Sequence, residues 1–496
     1  MIKKTIGKNL KYSALSQGLI FLLNFILFPF IVSHVGKEIY GAYLLVMTFT
    51  GYLGIFDFGV GSALIKYVAE AFGRQNIAEA KKVINSSFTF YFFIGILSSL
   101  ILLALSFSFD SILNTGPVHK IFIQRLFWVA AASSLFIWPG RTFDSVLQGL
   151  QKYDVISIFN SIFSAFVAIA AYVIFSRGMG MGWFLAVSYI CIAIKYVIFY
   201  FIVRNKGIVI SFPYFDRAIF SKIFSFSIFL FFSNIVGLII FNFDNFVIGA
   251  FVSVSAVTVY GVGYIFQNGF RSINSLLGGP LFPVGSDMEG RNEIEKQKIL
   301  FLKGTKYMTL FFVPLIIITL FFTEIIINNW MGGEFQEGVL PAQILMFFWI
   351  FNNTLEVGSG LLVAKGYVKE RFKFDVLNAV FNLSLSLILV RYFGILGVAL
   401  GTTIPMVLIY FPLVLSLILK VLGLIFSEFF NFTLKKNILV YFFSIAASLF
   451  SMYLYQPSNL LFIAIEMFIV YFIVILVGFT FTLSKAERQE LLNMVR

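Results

Sequence analysis

Runs of about 20 mostly apolar residues follow one another along the whole chain, with short polar connections between them. Such a run, wound as a helix, matches the roughly 30 Å hydrocarbon layer of a bilayer. Unpaired backbone groups are costly in lipid, so a chain made of such runs folds as a bundle of helices. Fourteen spans can be marked, from 12–34 and 40–62 at the start to 436–456 and 460–483 at the end. The predicted fold class is an all-α polytopic membrane protein with 14 transmembrane helices. Charged residues are only 12% of the chain, about half the share of a soluble domain.

The spans fall into two halves of seven. Tyr40-Gly41 recurs as Tyr260-Gly261, Gly59 as Gly279, Lys81 as Lys298, and the QGLQK run around Gly149 as KGYVK around Gly366. The offset drifts slowly from 220 to 217, which argues for a duplicated half. Duplicated halves are a known architecture for transporters, with the binding site at the repeat interface. The predicted division is residues 1–215, 216–420 and 421–496, the last holding two further spans and a tail.

Lysine and arginine in the loops set the orientation. With the N-terminus inside, 28 of the 36 cations fall on inner segments and 5 on outer ones, Lys37, Lys120, Arg125, Arg177 and Arg391. Both termini are therefore expected in the cytoplasm. The basic excess faces anionic lipid heads, which removes nucleic acid as the expected partner. The inner connection after the second span looks helical, and its Ile77, Ala80 and Ile84 share a face suited to the inner interface.

No GxxxxGK[ST] loop is present, so no nucleotide hydrolysis is expected. With two histidines and one cysteine, Cys191, no zinc site and no Cys/His nucleophile pair are expected either. No cofactor is called for beyond a coupling ion, H+ or Na+. The outer loops are too short to host a glycosyltransferase or polymerase site, and the chain reads as a non-enzyme.

What remains is a set of ions inside spans. Asp57, Arg141, Lys195, Arg271 and Glu356 lie on spans 2, 4, 6, 8 and 10, each 13 to 20 positions from the outer end. A charge at mid-span costs about 2.5–3.5 kcal/mol on insertion scales, so such residues usually face a cavity or a partner. Polar residues line the same faces. Asp144, Ser145 and Gln148 accompany Arg141, Gln267 and Asn274 accompany Arg271, and Asn352 and Ser359 accompany Glu356. The plainer alternatives are an internal Arg141–Asp144 ion pair, a Lys195 that snorkels to the inner heads, a structural Asp57 beside its two glycines, and an Asp244 that is simply wet.

The Tyr40-Gly41 pair, the Phe56-Asp57-Phe58-Gly59 turn, the Lys66 to Ala71 run, Gln148-Gly149, Asp244, Tyr260-Gly261 and Gly366 resemble the O-antigen-type polysaccharide flippases. These belong to the multidrug/oligosaccharidyl-lipid/polysaccharide exporter superfamily, which also holds the MATE transporters. The resemblance implies two pseudo-symmetric seven-helix bundles around a central cavity that opens alternately to each side of a bacterial inner membrane. It implies a cargo of oligosaccharide on undecaprenyl diphosphate, with other polysaccharide-assembly membrane proteins as neighbours. Arg141, Lys195 and Arg271 then stand as cargo-binding cations, and Asp57, Glu356 and Asp244 as ion-coupling or gating acids. A multidrug cation antiporter and a membrane glycan polymerase or ligase stay open as alternatives.

Overall fold

The structure, a computed structural model, describes residues 2–112, 117–278, 285, 288–455, 457 and 459–489. Gly279 of the internal echo, and the end of the eighth predicted span, lie outside them. Every regular element among the described residues is a helix. Eleven stretches are long and apolar enough to cross a membrane, and the first, Lys11–Asp57, covers two predicted spans. The seventh and eighth of the fourteen predicted spans fall on two further helices, α7 and α8 below.

By contacts the chain divides into two compact units, Met1–Thr258 and Val259–Arg496. In the first, α1 (Ile2–Tyr52) is bent at Gly36, whose φ of 82° a helix cannot hold. A single 3₁₀ turn, Leu53–Asp57, follows. Phe58 and Gly59 then take left-handed conformations and restart the chain as α2 (Val60–Gly73). Next come α3 (Ile77–Ile112), α4 (Pro117–Gly149), α5 (Tyr153–Ser176), α6 (Met181–Arg204) and α7 (Arg217–Phe251). Asp216 caps α7 by accepting from the backbone N–H groups of Ala218 and Ile219 at 3.0 and 3.1 Å. Helix α3 packs on α4, α4 on α6, and α1 on α5. By contacts α7 lies in the first unit.

Two expectations change here. Span 2 is broken in its inner part, and the break falls on Asp57. The predicted interfacial face is not a surface helix, because Ile77 opens α3 and runs straight into the span. Ala80 and Ile84 are fully buried. The amphipathic element is instead α2, which buries Val60, Ala63, Leu64, Tyr67, Val68 and Ala71. That is the i, i+3, i+4 pattern of a helix lying on others, here on α3, α4 and α7.

The second unit holds most of α8 (Val254–Gly278), then α9 (Ile294–Trp330), α10 (Val339–Ala364), α11 (Val368–Phe393), α12 (Ile395–Pro405), α13 (Phe411–Leu422), the short α14 (Phe426–Phe429), α15 (Lys435–Leu454) and α16 (Leu460–Phe481). A π-turn, Met406–Tyr410, joins α12 to α13. Helix α9 packs on α10, α15 and α16, and α11 packs on α12. The α11–α12 approach is close because Gly401 has no side chain, and a Cβ there would lie 2.4 Å from Ser386 Oγ.

Candidate functional site

Most of the ionisable residues inside the spans fall into two networks, one in each unit. The first begins at the break after the 3₁₀ turn. Asp57 is only 8% exposed, and its carboxylate accepts a hydrogen bond from the Tyr91 hydroxyl of α3. A Cβ on Gly61, in the first turn of α2, would lie 3.1 Å from Tyr91 Oη, 3.4 Å from Asp57 Oδ1 and 3.5 Å from Ser145 Oγ. Three polar groups from three elements therefore meet over a residue with no side chain.

Tyr91 stacks on Trp138, with ring centroids 5.9 Å apart. The Arg141 guanidinium lies 5.0 Å from that indole, within the range of a cation–π contact. Its neighbour Asp144 lies in the field of both Lys195 and Arg141. Lys195 on α6 donates to Asn160 Oδ1 on α5 at 3.1 Å. It also sits 4.9 Å from the Tyr196 ring. Gly140 lets that ring lie against α4, since a Cβ there would fall 2.1 Å from a Tyr196 ring carbon. This network joins Asp57, Arg141, Asp144 and Lys195 of the expected residues, and Gln148 lies half-buried one turn beyond Asp144 on α4. The network balances two cations against two acids. Asp244 is buried on α7 and lies beside Tyr52.

The second network centres on Glu356 of α10. Its Oε2 accepts from Asn274 Nδ2 of α8 at 2.7 Å, and Asn274 Oδ1 accepts from Asn353 Nδ2 at 2.8 Å. The charged neighbour of Glu356 is Arg371 on α11. Tyr410, on the π-turn, lies in the field of both Arg371 and Asp375. Insertions of this kind are frequent at functional sites. Gln267 is buried on α8, Asn352 is half-buried beside Asn353, and Arg271 is exposed on α8.

Sequence spacing alone did not find Tyr91, Asn160, Tyr196, Asn353, Arg371, Asp375 or Tyr410. Most are uncharged and reach their partners from a different helix. Arg371 was counted as a loop cation, but α11 starts at Val368 and places it one turn inside. Asp375, four positions on, was the available signal. Among the described residues, no three His, Cys, Asp or Glu side chains converge to hold a metal.

Comparison with known proteins supplies the family. Residues 6–289 match the family model described as polysaccharide biosynthesis protein. The chain belongs to that family. A Shigella flexneri protein named for O-antigen transport is 25% identical over 384 residues, 76% of this chain and 90% of its own length. Among solved structures, the lipid II flippase MurJ in an inward closed conformation matches with TM-score 0.75 at 15% identity, covering 98% of this chain and 99% of its own. An inward-facing MATE multidrug-resistance transporter matches with TM-score 0.67 at 16% identity, covering 82% and 95%. At such identities these two show the fold. The polysaccharide biosynthesis family member thus has the architecture shared by MurJ and the MATE transporters. Its two polar networks sit on the helices of that architecture.

Proposed function

We propose that this family member is a flippase that carries undecaprenyl-diphosphate-linked oligosaccharide units across a bacterial inner membrane, with both termini in the cytoplasm. The observation that carries the reading is the O-antigen transport relative, matched over 90% of its length. The buried networks support it, because charges are retained at mid-membrane where they serve a path or a partner.

In this reading Arg141, Lys195 and Arg271 meet the diphosphate or acidic sugars. A guanidinium suits phosphate because its planar donors bind two oxygens at once. Asp57, Glu356 and Asp244 are the acids through which H+ or Na+ movement is coupled, and one charge crossing 100 mV supplies about 2.3 kcal/mol. Asp144, Gln148, Gln267, Asn274 and Asn352 support these groups. The broken helix at Asp57 fits such a role, since discontinuous helices hold ions and substrates in transporters.

Mass spectrometry of lipid extracts tests the proposal. A strain lacking the chain is expected to accumulate finished, lipid-linked repeat units, with no polymer at the surface. Accumulation of exported but unpolymerised units would show a polymerase instead. Unchanged intermediates together with new sensitivity to cationic drugs would show a multidrug exporter.

A further inference from the structure

One groove lies apart from both networks. It runs between the N-terminal parts of α4 and α6 and has a volume of about 640 Å3, within the range of ordinary ligand sites. It is lined by Trp128 on α4 and Trp183 on α6, together with the small residues Ala132, Gly182 and Ala186. The small side chains leave the space open. Arg125 lines the groove three positions before Trp128 and is exposed. The Trp128 indole is held in place by donating to Ser106 Oγ at 3.1 Å. Of the chain's 5 tryptophans, Trp128 and Trp183 are exposed, at 46% and 59%, and Trp138, Trp330 and Trp349 are buried.

Indoles at the end of a spanning helix mark the level of the lipid headgroups. Ala132 lies about two helical turns nearer the membrane centre than Arg125. A molecule that fills it must carry a negative head above an apolar chain. The Arg125 cation rules in an anionic head over a neutral one, and the indoles and alanines fit a hydrocarbon chain. We propose that this groove is a binding site for an anionic phospholipid, held by its phosphate at Arg125 and by one acyl chain between Trp128 and Trp183. With the termini in the cytoplasm, as proposed above, the site faces the outer leaflet.

Brominated lipids test this through tryptophan quenching, which reads binding and not transport. The result therefore stands whatever becomes of the flippase reading. The purified full chain is reconstituted in phosphatidylcholine vesicles with graded brominated phosphatidylglycerol or brominated phosphatidylcholine. Emission from the groove is isolated by difference from the Trp128→Phe/Trp183→Phe variant. Phosphatidylglycerol is expected to bind about three- to fivefold more tightly than phosphatidylcholine, the scale of one basic residue at an anionic surface. Arg125→Gln should bring the ratio to one, and Arg125→Lys should keep most of it. Gly182→Leu should abolish the preference with Arg125 intact, because a side chain there meets open space and enters the groove. Equal quenching by both lipids in the unaltered protein would overturn the proposal. So would a preference that survives Arg125→Gln. Displacement of phosphatidylglycerol by trace undecaprenyl phosphate would assign the groove to the carrier lipid and overturn it as well.

Discussion

Glu356 shows how a single residue's chemistry is set by partners on other helices. Its carboxylate relies on Asn274, at 2.7 Å, and on the nearby Arg371. Glu356→Gln keeps the shape and keeps an acceptor for Asn274, so thermal unfolding should move by less than about 1 kcal/mol. Transport and its sensitivity to uncouplers should be lost together, because no carboxyl remains to take an ion. Asn274→Leu leaves the carboxylate without its donor and should cost about 1–3 kcal/mol. Full transport with full uncoupler sensitivity in Glu356→Gln would remove Glu356 from the coupling path. The residue itself was legible in the sequence, because a charge in an apolar run stands out. Its partner was not. Spacing along α10 pointed to Asn352, but the neighbouring Asn353 makes the contact across to Asn274. Adjacent helical positions point about 100° apart, and only the packing of α8 on α10 decides which of the two is used.

At the scale of elements, the apolar runs announced the helices but not how far each extends. Helix α9 is 37 residues long, so it outruns the bilayer and carries residues read as loop into the fold. Lys306 was counted as an inner-loop cation, yet it is 1% exposed. Glu487, in the tail beyond α16, binds it through both oxygens at 2.7 and 2.9 Å. Burial pushes the Glu487 carboxyl up, but Lys306 and the Ser484 backbone N–H outweigh it and hold the group below its ordinary value. A depressed carboxyl stabilises the fold above the unfolded pKa of about 4.3, and that stability is lost as pH falls through the lower folded value. Glu487→Gln should therefore cost most at neutral pH, about 3–5 kcal/mol for a lysine left buried without its counter-charge. Lys306→Met/Glu487→Gln should recover much of that loss. Melting curves at pH 7 and pH 3.5 check both points, and the difference between the unaltered protein and Glu487→Gln should shrink at the lower pH. A deficit of the same size at both values would mean that packing, and not the ion pair, holds the tail.

The whole molecule raises the question of sidedness, which charge counting answers and packing does not. Loop cations put the connection after α2 inside and the turn after α9 outside. Seven long helices, α3 to α9, lie between these points among the described residues, and an odd number of crossings puts them on opposite sides. Single cysteines read this directly in a Cys191→Ser background, since Cys191 is the one cysteine in the chain. Asn76 is exposed, and its side chain caps α3 by accepting from the Glu79 N–H at 3.1 Å. Asn76→Cys should therefore cost only about 1 kcal/mol. On the other side Gly332 holds a φ of 91° and tolerates no side chain without strain, whereas at Gly333 a Cβ meets open space. In intact cells an impermeant maleimide should label Gly333→Cys and spare Asn76→Cys, and permeabilised cells should show both labelled. The inverted pattern would turn the protein over, leaving the lysine and arginine bias without an explanation. Labelling of both from outside would require an even number of crossings, so one of the helices from α3 to α9 would have to be re-entrant.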